Sequence, residues 1–210
     1  MAYKRVKKII KVLRQAYPNS RVSLNSQNPF QLLVSTILSA QCTDKRTNEV
    51  CERLFKKHKN IESFAKVRQR VLEKEIYSTG FYRHKAKNVI AASKKILSTH
   101  KGRVPKTMEE LTALPGVGRK TANIILSSAF RKAEGIAVDT HVKRLSGRLG
   151  LSGQSGPGKI ERELLEVVPK SDWLDFNYIL VNHGRNTCKA RKPLCSDCVI
   201  ARLCPSKQAR

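Results

Sequence analysis

Acidic residues are scarce in this chain: 16 Asp and Glu stand against 42 Lys and Arg, a formal net charge of +26 over 210 residues. No acid occurs before Asp44, whereas Lys4, Arg5, Lys7, Lys8, Lys11, Arg14 and Arg21 all do. From Asn182 onward Asp197 is the single acid against seven Lys and Arg. Self-repulsion on this scale is tolerable when the usual partner is a polyanion. Long apolar runs are also missing and the N-terminal helix has only a modest apolar stripe, which favours nucleic acid over a membrane as that polyanion. No signal peptide is recognisable, because charged residues and the amphipathic spacing of Val6, Ile9, Ile10 and Leu13 begin at once. Reduced thiols and a cytoplasmic setting are therefore expected despite six cysteines.

No stretch alternates apolar and polar residues with period two, and there is no internal repeat or low-complexity segment. What remains is helical periodicity, so the fold is expected to be all-α. The pattern predicts helices over 3–16, 29–40, 43–57, 67–77, 84–99, 107–114, 119–130, 140–149, 157–168 and 173–183. Pro18-Asn19-Ser20, Gly102 with Pro105, and the glycine-rich stretch from Gly150 to Gly158 mark loops. Phe30, Leu32, Leu33, Val34, Ile37 and Leu38 make the second helix almost wholly apolar, which places it centrally in a core. With 40% hydrophobic residues the chain has enough for one sizeable core or two small ones.

The run LPGVGRKTANIIL at 114–126, followed by VDTHV at 138–142, carries the most chemistry. Met108, Leu111 and Leu114 sit at helical spacing, Pro115-Gly116-Val117-Gly118 stops that helix, and a second apolar pattern starts with Ala122, Ile124, Ile125 and Ala129. Two short helices joined by a glycine hairpin let backbone N–H groups face outward at the second helix's N-terminus, a cradle for a phosphate oxygen that needs no side-chain charge, so Gly116, Val117, Gly118 and Arg119 are candidate DNA contacts. Lys120 lies in the first turn of the second helix, and Asp139 opens another helix. Taken alone, Lys120 reads as a phosphate contact and Asp139 as an N-cap. Taken together, an amine and a carboxylate beside a phosphate grip suggest chemistry on DNA.

Cys188, Cys195, Cys198 and Cys204 are spaced C-x6-C-x2-C-x5-C, too close together for all four to be core residues. They read as a metal site. A structural zinc more often uses two C-x2-C pairs, and one pair flanked closely by two further thiols suits a [4Fe–4S] cluster equally well. Spacing alone leaves the two open. Lys189, Arg191 and Lys192, between the first two thiols, form a basic loop suited to phosphates. Cys42 and Cys51 sit in apolar helical settings and read as packing.

The hairpin with Lys120, the VDTH with Asp139 and the four-cysteine tail together resemble the endonuclease III family of helix-hairpin-helix DNA glycosylases. The resemblance runs from Asn28-Pro29-Phe30, through the LSAQ-x-TD turn at 38–44, to Cys204. It implies a two-domain, all-α protein that acts on double-stranded DNA as a monomer, with the DNA in the cleft between the domains. A helical barrel with the hairpin would span 21–132, and a discontinuous [4Fe–4S] domain would combine 1–20 with 133–210. It also implies a bifunctional glycosylase and AP lyase that removes oxidised pyrimidines and nicks the strand. Lys120 falls on the family's catalytic lysine and Asp139 on its catalytic aspartate. Gln41 matches the residue that fills the gap left by the extruded nucleotide. Phe81 falls where relatives carry a leucine that wedges into the opposite strand, and an aromatic ring there is able to stack. Iron–sulfur then becomes the expected occupant of the four thiols, supporting the basic loop rather than doing chemistry. Sister glycosylases acting on mismatched adenine, on thymine opposite guanine or on alkylated bases are the nearest alternative, although adenine-removing relatives lack the hairpin lysine. A non-enzymatic DNA-binding or electron-transfer protein would have no need of both Lys120 and Asp139.

Overall fold

The structure is a computed structural model that describes residues 2–207; Arg210, counted above in the basic C-terminal stretch, lies outside them. Among the described residues the regular structure is helical: α1 (Ala2–Ala16), α2 (Pro29–Ser39), α3 (Asp44–Lys57), α4 (Ile61–Lys66), α5 (Gln69–Ile76), α6 (Tyr82–Thr99), α7 (Met108–Thr112), α8 (Arg119–Phe130), α9 (Thr140–Arg148), α10 (Pro157–Val167) and α11 (Trp173–Asn186), with short 3-10 turns at Tyr77–Thr79, Lys170–Asp172 and Ala201–Leu203. No helix among them is long and apolar enough to cross a membrane. The chain divides into two compact units, Val22–Phe130 and Met1–Arg21 with Arg131–Arg210.

In the Val22–Phe130 unit, α2 forms because Asn28 caps it, accepting the Gln31 N–H at 2.9 Å, and Pro29 occupies the first turn, where a missing N–H costs nothing. Phe30, Leu32, Leu33, Val34, Ile37 and Leu38 are all buried, so α2 has no solvent face and packs against α3, α6 and α8. That agrees with its apolar sequence. The pattern did not foresee α4, six residues long, which starts at a reciprocal cap between Asn60 and Ser63. Its Phe64 is fully buried and meets Phe30 edge-on at 5.4 Å between ring centroids. The hairpin's first helix, expected to reach residue 114, ends at Thr112. Cys51 is buried in α3, whereas Cys42 is not in a helix: it occupies the turn after α2, where its N–H bonds Ser39 O at 3.0 Å.

In the second unit, Ile9 and Leu13 of α1, Val142 and Leu145 of α9, Ile160 and Leu164 of α10, and Phe176, Ile179 and Leu180 of α11 form a separate core. Each fully buried side chain of this size contributes about 1.5–3 kcal/mol. Arg14 pins α1 to the start of α11, donating to Asp172 at 2.7 Å and to both oxygens of Asp175 at 3.0 and 3.1 Å. Those two carboxylates hold its guanidinium charged, with a pKa above the ordinary arginine value. Arg5, nearer the N-terminus, donates to Leu149 O at 2.9 Å and Leu203 O at 3.1 Å, tying the C-terminal tail to α1.

Candidate nucleic-acid interface and metal centre

The hairpin between α7 and α8 is a tight turn closed by Val117 N–H on Leu114 O at 3.1 Å, with Gly116 at φ +78°. A Cβ on Gly116 would stand 2.8 Å from Asn88 Cβ, so the backbone needs glycine here both for its dihedral and for its closeness to α6. The Val117 side chain is buried and anchors the turn. The Val117 N–H is used in closing the turn. The outward donors belong to the first turn of α8, which begins at Arg119 and has no preceding helical carbonyl to bond. Gly116, Gly118, Arg119 and Lys120 are exposed. Lys120 is the second residue of α8, at the positive end of the helix dipole.

Gln41 and Phe81 share an uncommon backbone state. Gln41, in the turn after α2, has φ +52°, and Phe81, at the N-cap of α6, has φ +49°. A left-handed conformation costs a non-glycine residue about 1–2 kcal/mol, and such strain gathers at functional sites. Phe81 follows Gly80 at φ +70° and leaves its ring 62% exposed, a large apolar group held outward. Both residues belong to the same unit as the hairpin.

Asp139, in the other unit, is the N-cap of α9: Oδ1 accepts the Val142 N–H at 2.7 Å. The capping role read from the sequence is therefore real. It uses one carboxylate oxygen, Oδ1.

Cys188, Cys195, Cys198 and Cys204 all line one cavity of about 270 Å³, together with His183, Arg148, Leu145 and Ile200. Among the described residues no three His, Cys, Asp or Glu side chains converge closely enough to hold a single ion. Four thiolates on one zinc would lie about 3.8 Å apart, given Zn–S distances of about 2.3 Å in a tetrahedron. Thiols arranged around a space rather than a point suit a polynuclear cluster, and the all-sulfur donor set suits iron. As free thiols, Cys198 and Cys204 are pushed above the usual thiol pKa, chiefly by burial, and the charge of neighbouring thiolates adds to this. Burial also holds His183 neutral, with its pKa lowered to about 4.

Sequence reasoning missed what frames this tail. Arg148 donates to Cys188 Sγ at 3.2 Å, Lys189 O at 2.8 Å and Ala190 O at 2.7 Å. Arg144, one turn earlier, reaches Gly184 O at 3.1 Å and Cys188 O at 3.0 Å. Leu194 N–H closes the loop on Thr187 O at 3.0 Å. With its backbone fixed from inside, the loop leaves Lys189, Arg191 and Lys192 exposed to solvent. The i, i+4 arginines were a visible signal, but they read equally well as a solvated face.

A glycine hairpin feeding a lysine-bearing helix in one unit, and a four-thiol cage beneath a basic loop in the other, define a helix-hairpin-helix protein with an iron–sulfur module. Residues 34–170 match the HhH-GPD superfamily of base excision DNA repair proteins, and residues 188–204 match the iron–sulfur binding domain of endonuclease III. Endonuclease III of Synechocystis sp. is 50% identical over 205 residues, covering 98% of this chain and 94% of that protein. Endonuclease III of Bacillus subtilis is 44% identical over 195 residues, covering 92% and 89%. A solved structure of a trapped covalent intermediate between endonuclease III and DNA superposes with a TM-score of 0.92 at 36% identity, covering 99% of this chain and 97% of that one. The chain belongs to the endonuclease III family of HhH-GPD base excision DNA repair proteins and carries that family's [4Fe–4S] cluster.

Proposed function

We propose that this chain is a bifunctional DNA glycosylase and AP lyase that removes oxidised pyrimidines from duplex DNA through Lys120. The observation that carries the proposal is an exposed primary amine in the first turn of α8, immediately after a glycine hairpin shaped to hold a DNA phosphate. Binding phosphate on the α8 N-terminus would set the amine at a fixed height along the strand. The target nucleotide leaves the stack, at lower cost when it is damaged. Gln41 occupies the gap and Phe81 wedges into the opposite strand.

Chemistry begins as the bond from C1′ to the base breaks and positive charge develops on the sugar. The carboxylate of Asp139 stabilises that charge and accepts a proton from the lysine, because an amine attacks only when neutral. The Lys120 nitrogen bonds to C1′ and the base departs with a proton. Ring opening gives a protonated Schiff base, which acidifies C2′. Loss of the C2′ proton expels the 3′ phosphate, and hydrolysis of the imine frees the enzyme. Cys188, Cys195, Cys198 and Cys204 hold the [4Fe–4S] cluster, whose part is to fix the fold of the loop bearing Lys189, Arg191 and Lys192. The protein works as a monomer on chromosomal DNA in the cytoplasm.

The test uses duplexes carrying thymine glycol, dihydrouracil, uracil, 8-oxoguanine or an abasic site. Strand cleavage is expected at the first two and at the abasic site. Borohydride added during turnover should fix protein covalently to DNA, and Lys120→Ala should abolish the adduct. Equal trapping in that variant would refute the assignment.

A further inference from the structure

Lys85 is a lysine in the wrong place for an ordinary surface charge. It lies on the first turns of α6 and is only 4% exposed. Its Nζ donates to Leu38 O at 2.8 Å and to Thr79 O at 2.7 Å. Leu38 belongs to the last turn of α2, where carbonyls lack helical partners, and Gln41 stands three residues on. Thr79 closes the 3-10 turn before Gly80, and Phe81 stands two residues on. One buried ammonium thus joins the roots of the Gln41 and Phe81 segments, two of the four places among the described residues where a non-glycine residue takes a left-handed conformation. Burial lowers the Lys85 pKa from its ordinary value, and two carbonyl acceptors compensate the buried charge.

The same helix also braces the hairpin. Asn88, one turn beyond Lys85, is the side chain that a Cβ on Gly116 would strike, and Lys95 donates to Ala113 O at 2.8 Å. One face of α6 therefore reaches all three segments of this unit to which DNA contact is assigned. Only Lys85 bridges two of them. An apolar side chain of similar length, such as methionine, would leave two carbonyls without their donor, and strained residues persist only while their surroundings determine them.

We infer that Lys85 is a positioning residue for base extrusion: its buried ammonium ties the Gln41 turn to the Phe81 loop and sets the spacing at which those two side chains enter the duplex. The inference rests on the roles proposed above for Gln41 and Phe81. It asks of Lys85 no contact with DNA.

The experiment is a mutant cycle on the cluster-loaded protein with a thymine glycol duplex, comparing Lys85→Met, the double variant Gln41→Ala with Phe81→Ala, and the triple combination. Single-turnover excision by Lys85→Met should fall by roughly 10- to 100-fold, the loss that follows when an acting group is displaced by about an ångström. Affinity for undamaged duplex should stay within about twofold, because phosphate contacts do not depend on Lys85. Amide exchange should quicken across 38–42 and 79–82 but not across 114–120. The triple variant should be no slower than the double, since residues acting as a unit are not additive. Should Lys85→Met fold poorly, Lys85→Gln keeps two N–H donors without the charge, and the same cycle applies with a smaller loss. Wild-type excision by the Lys85 variant, unchanged exchange at both segments, or losses that multiply in the triple variant would each overturn the inference. If the double variant itself excises at the wild-type rate, the roles of Gln41 and Phe81 fall first and the inference falls with them.

Discussion

The carboxylate of Asp139 caps α9 and is proposed above to act in catalysis, and a single-atom exchange separates the two duties. As an N-cap it needs an oxygen acceptor for the Val142 N–H at 2.7 Å, which an amide oxygen also supplies. As a partner to a developing cation it needs its charge. Asp139→Asn should therefore keep its stability within a few tenths of a kcal/mol, yet lose roughly 100-fold or more in excision, the scale of general-base contributions. Asp139→Ala should lose the cap as well, at about 1 kcal/mol. Thermal melts beside single-turnover rates decide the matter, and an Asn variant with full activity would leave Asp139 a cap alone. The hairpin glycines offer a similar contrast. A methyl on Gly116 meets Asn88 and a positive φ, so Gly116→Ala should cost at least about 2 kcal/mol from strain and crowding. A Cβ on Gly118 meets nothing within 4 Å. Gly118→Ala should fold as well as wild type, to within about 0.5 kcal/mol, and bind duplex more weakly, because the methyl occupies space the phosphate needs. Denaturant unfolding and duplex titration of the two variants check this, and equal stability loss in both would contradict it.

Among the elements, the basic loop takes its conformation from side chains outside it as well as from its own backbone turns. From Cys188 to the end of the described tail the Ala201–Leu203 turn is the one helical segment, and side chains from outside, Arg5, Arg144 and Arg148, bond its carbonyls. Lys189, Arg191 and Lys192 are then free to meet phosphates. Replacing all three with Ala should flatten the log–log salt dependence of duplex binding by up to about two to three units, at roughly 0.9 per lost contact. Damaged and undamaged duplexes should suffer alike, since phosphates carry no base identity. Visible absorption from the cluster should persist. An unchanged slope, or a loss confined to damaged DNA, would show that the loop does not clamp phosphate. Elements of this kind explain why legibility in the sequence was uneven. Helices such as α2, α3 and α8 announce themselves by apolar spacing over three or more turns, with Asn28 and Thr43 capping the first two. By contrast, α4 is too short to show a period and is specified by the Asn60–Ser63 cap alone. The hairpin, Lys120 and the four thiols were legible because their chemistry depends on local spacing. The grip of Lys85 on Leu38 and Thr79, and of Arg148 on the loop, depends on residues 47, 6 and about 40 positions away, which no local pattern records.

At the scale of the whole molecule, the +26 charge sets folding and binding against each other. The two units each bury an apolar core, but Lys and Arg outnumber Asp and Glu by 42 to 16, and ion pairs such as Arg46–Glu49 and Lys56–Glu52 are exposed. Exposed pairs contribute about 0–1 kcal/mol each, too little to offset a surplus of this size. In the free protein, added salt should therefore screen repulsion and raise the melting temperature, because the Debye length falls from about 10 Å at 0.1 M toward 3 Å at 1 M. Duplex DNA should act in the opposite sense. A duplex with a non-cleavable abasic analogue, held at 100 times its dissociation constant, adds about 2.7 kcal/mol of stability by mass action. If affinity falls by about a thousandfold between 50 and 200 mM salt, as about six phosphate contacts imply, that increment drops below about 0.1 kcal/mol. Melting curves with and without duplex should thus converge as salt rises, the free protein climbing while the complex descends. A free-protein melting temperature that falls with salt would mean that attractive pairs outweigh the repulsion. A gap that stays constant would mean that duplex binding does not run through phosphates, which would remove the reason for the charge.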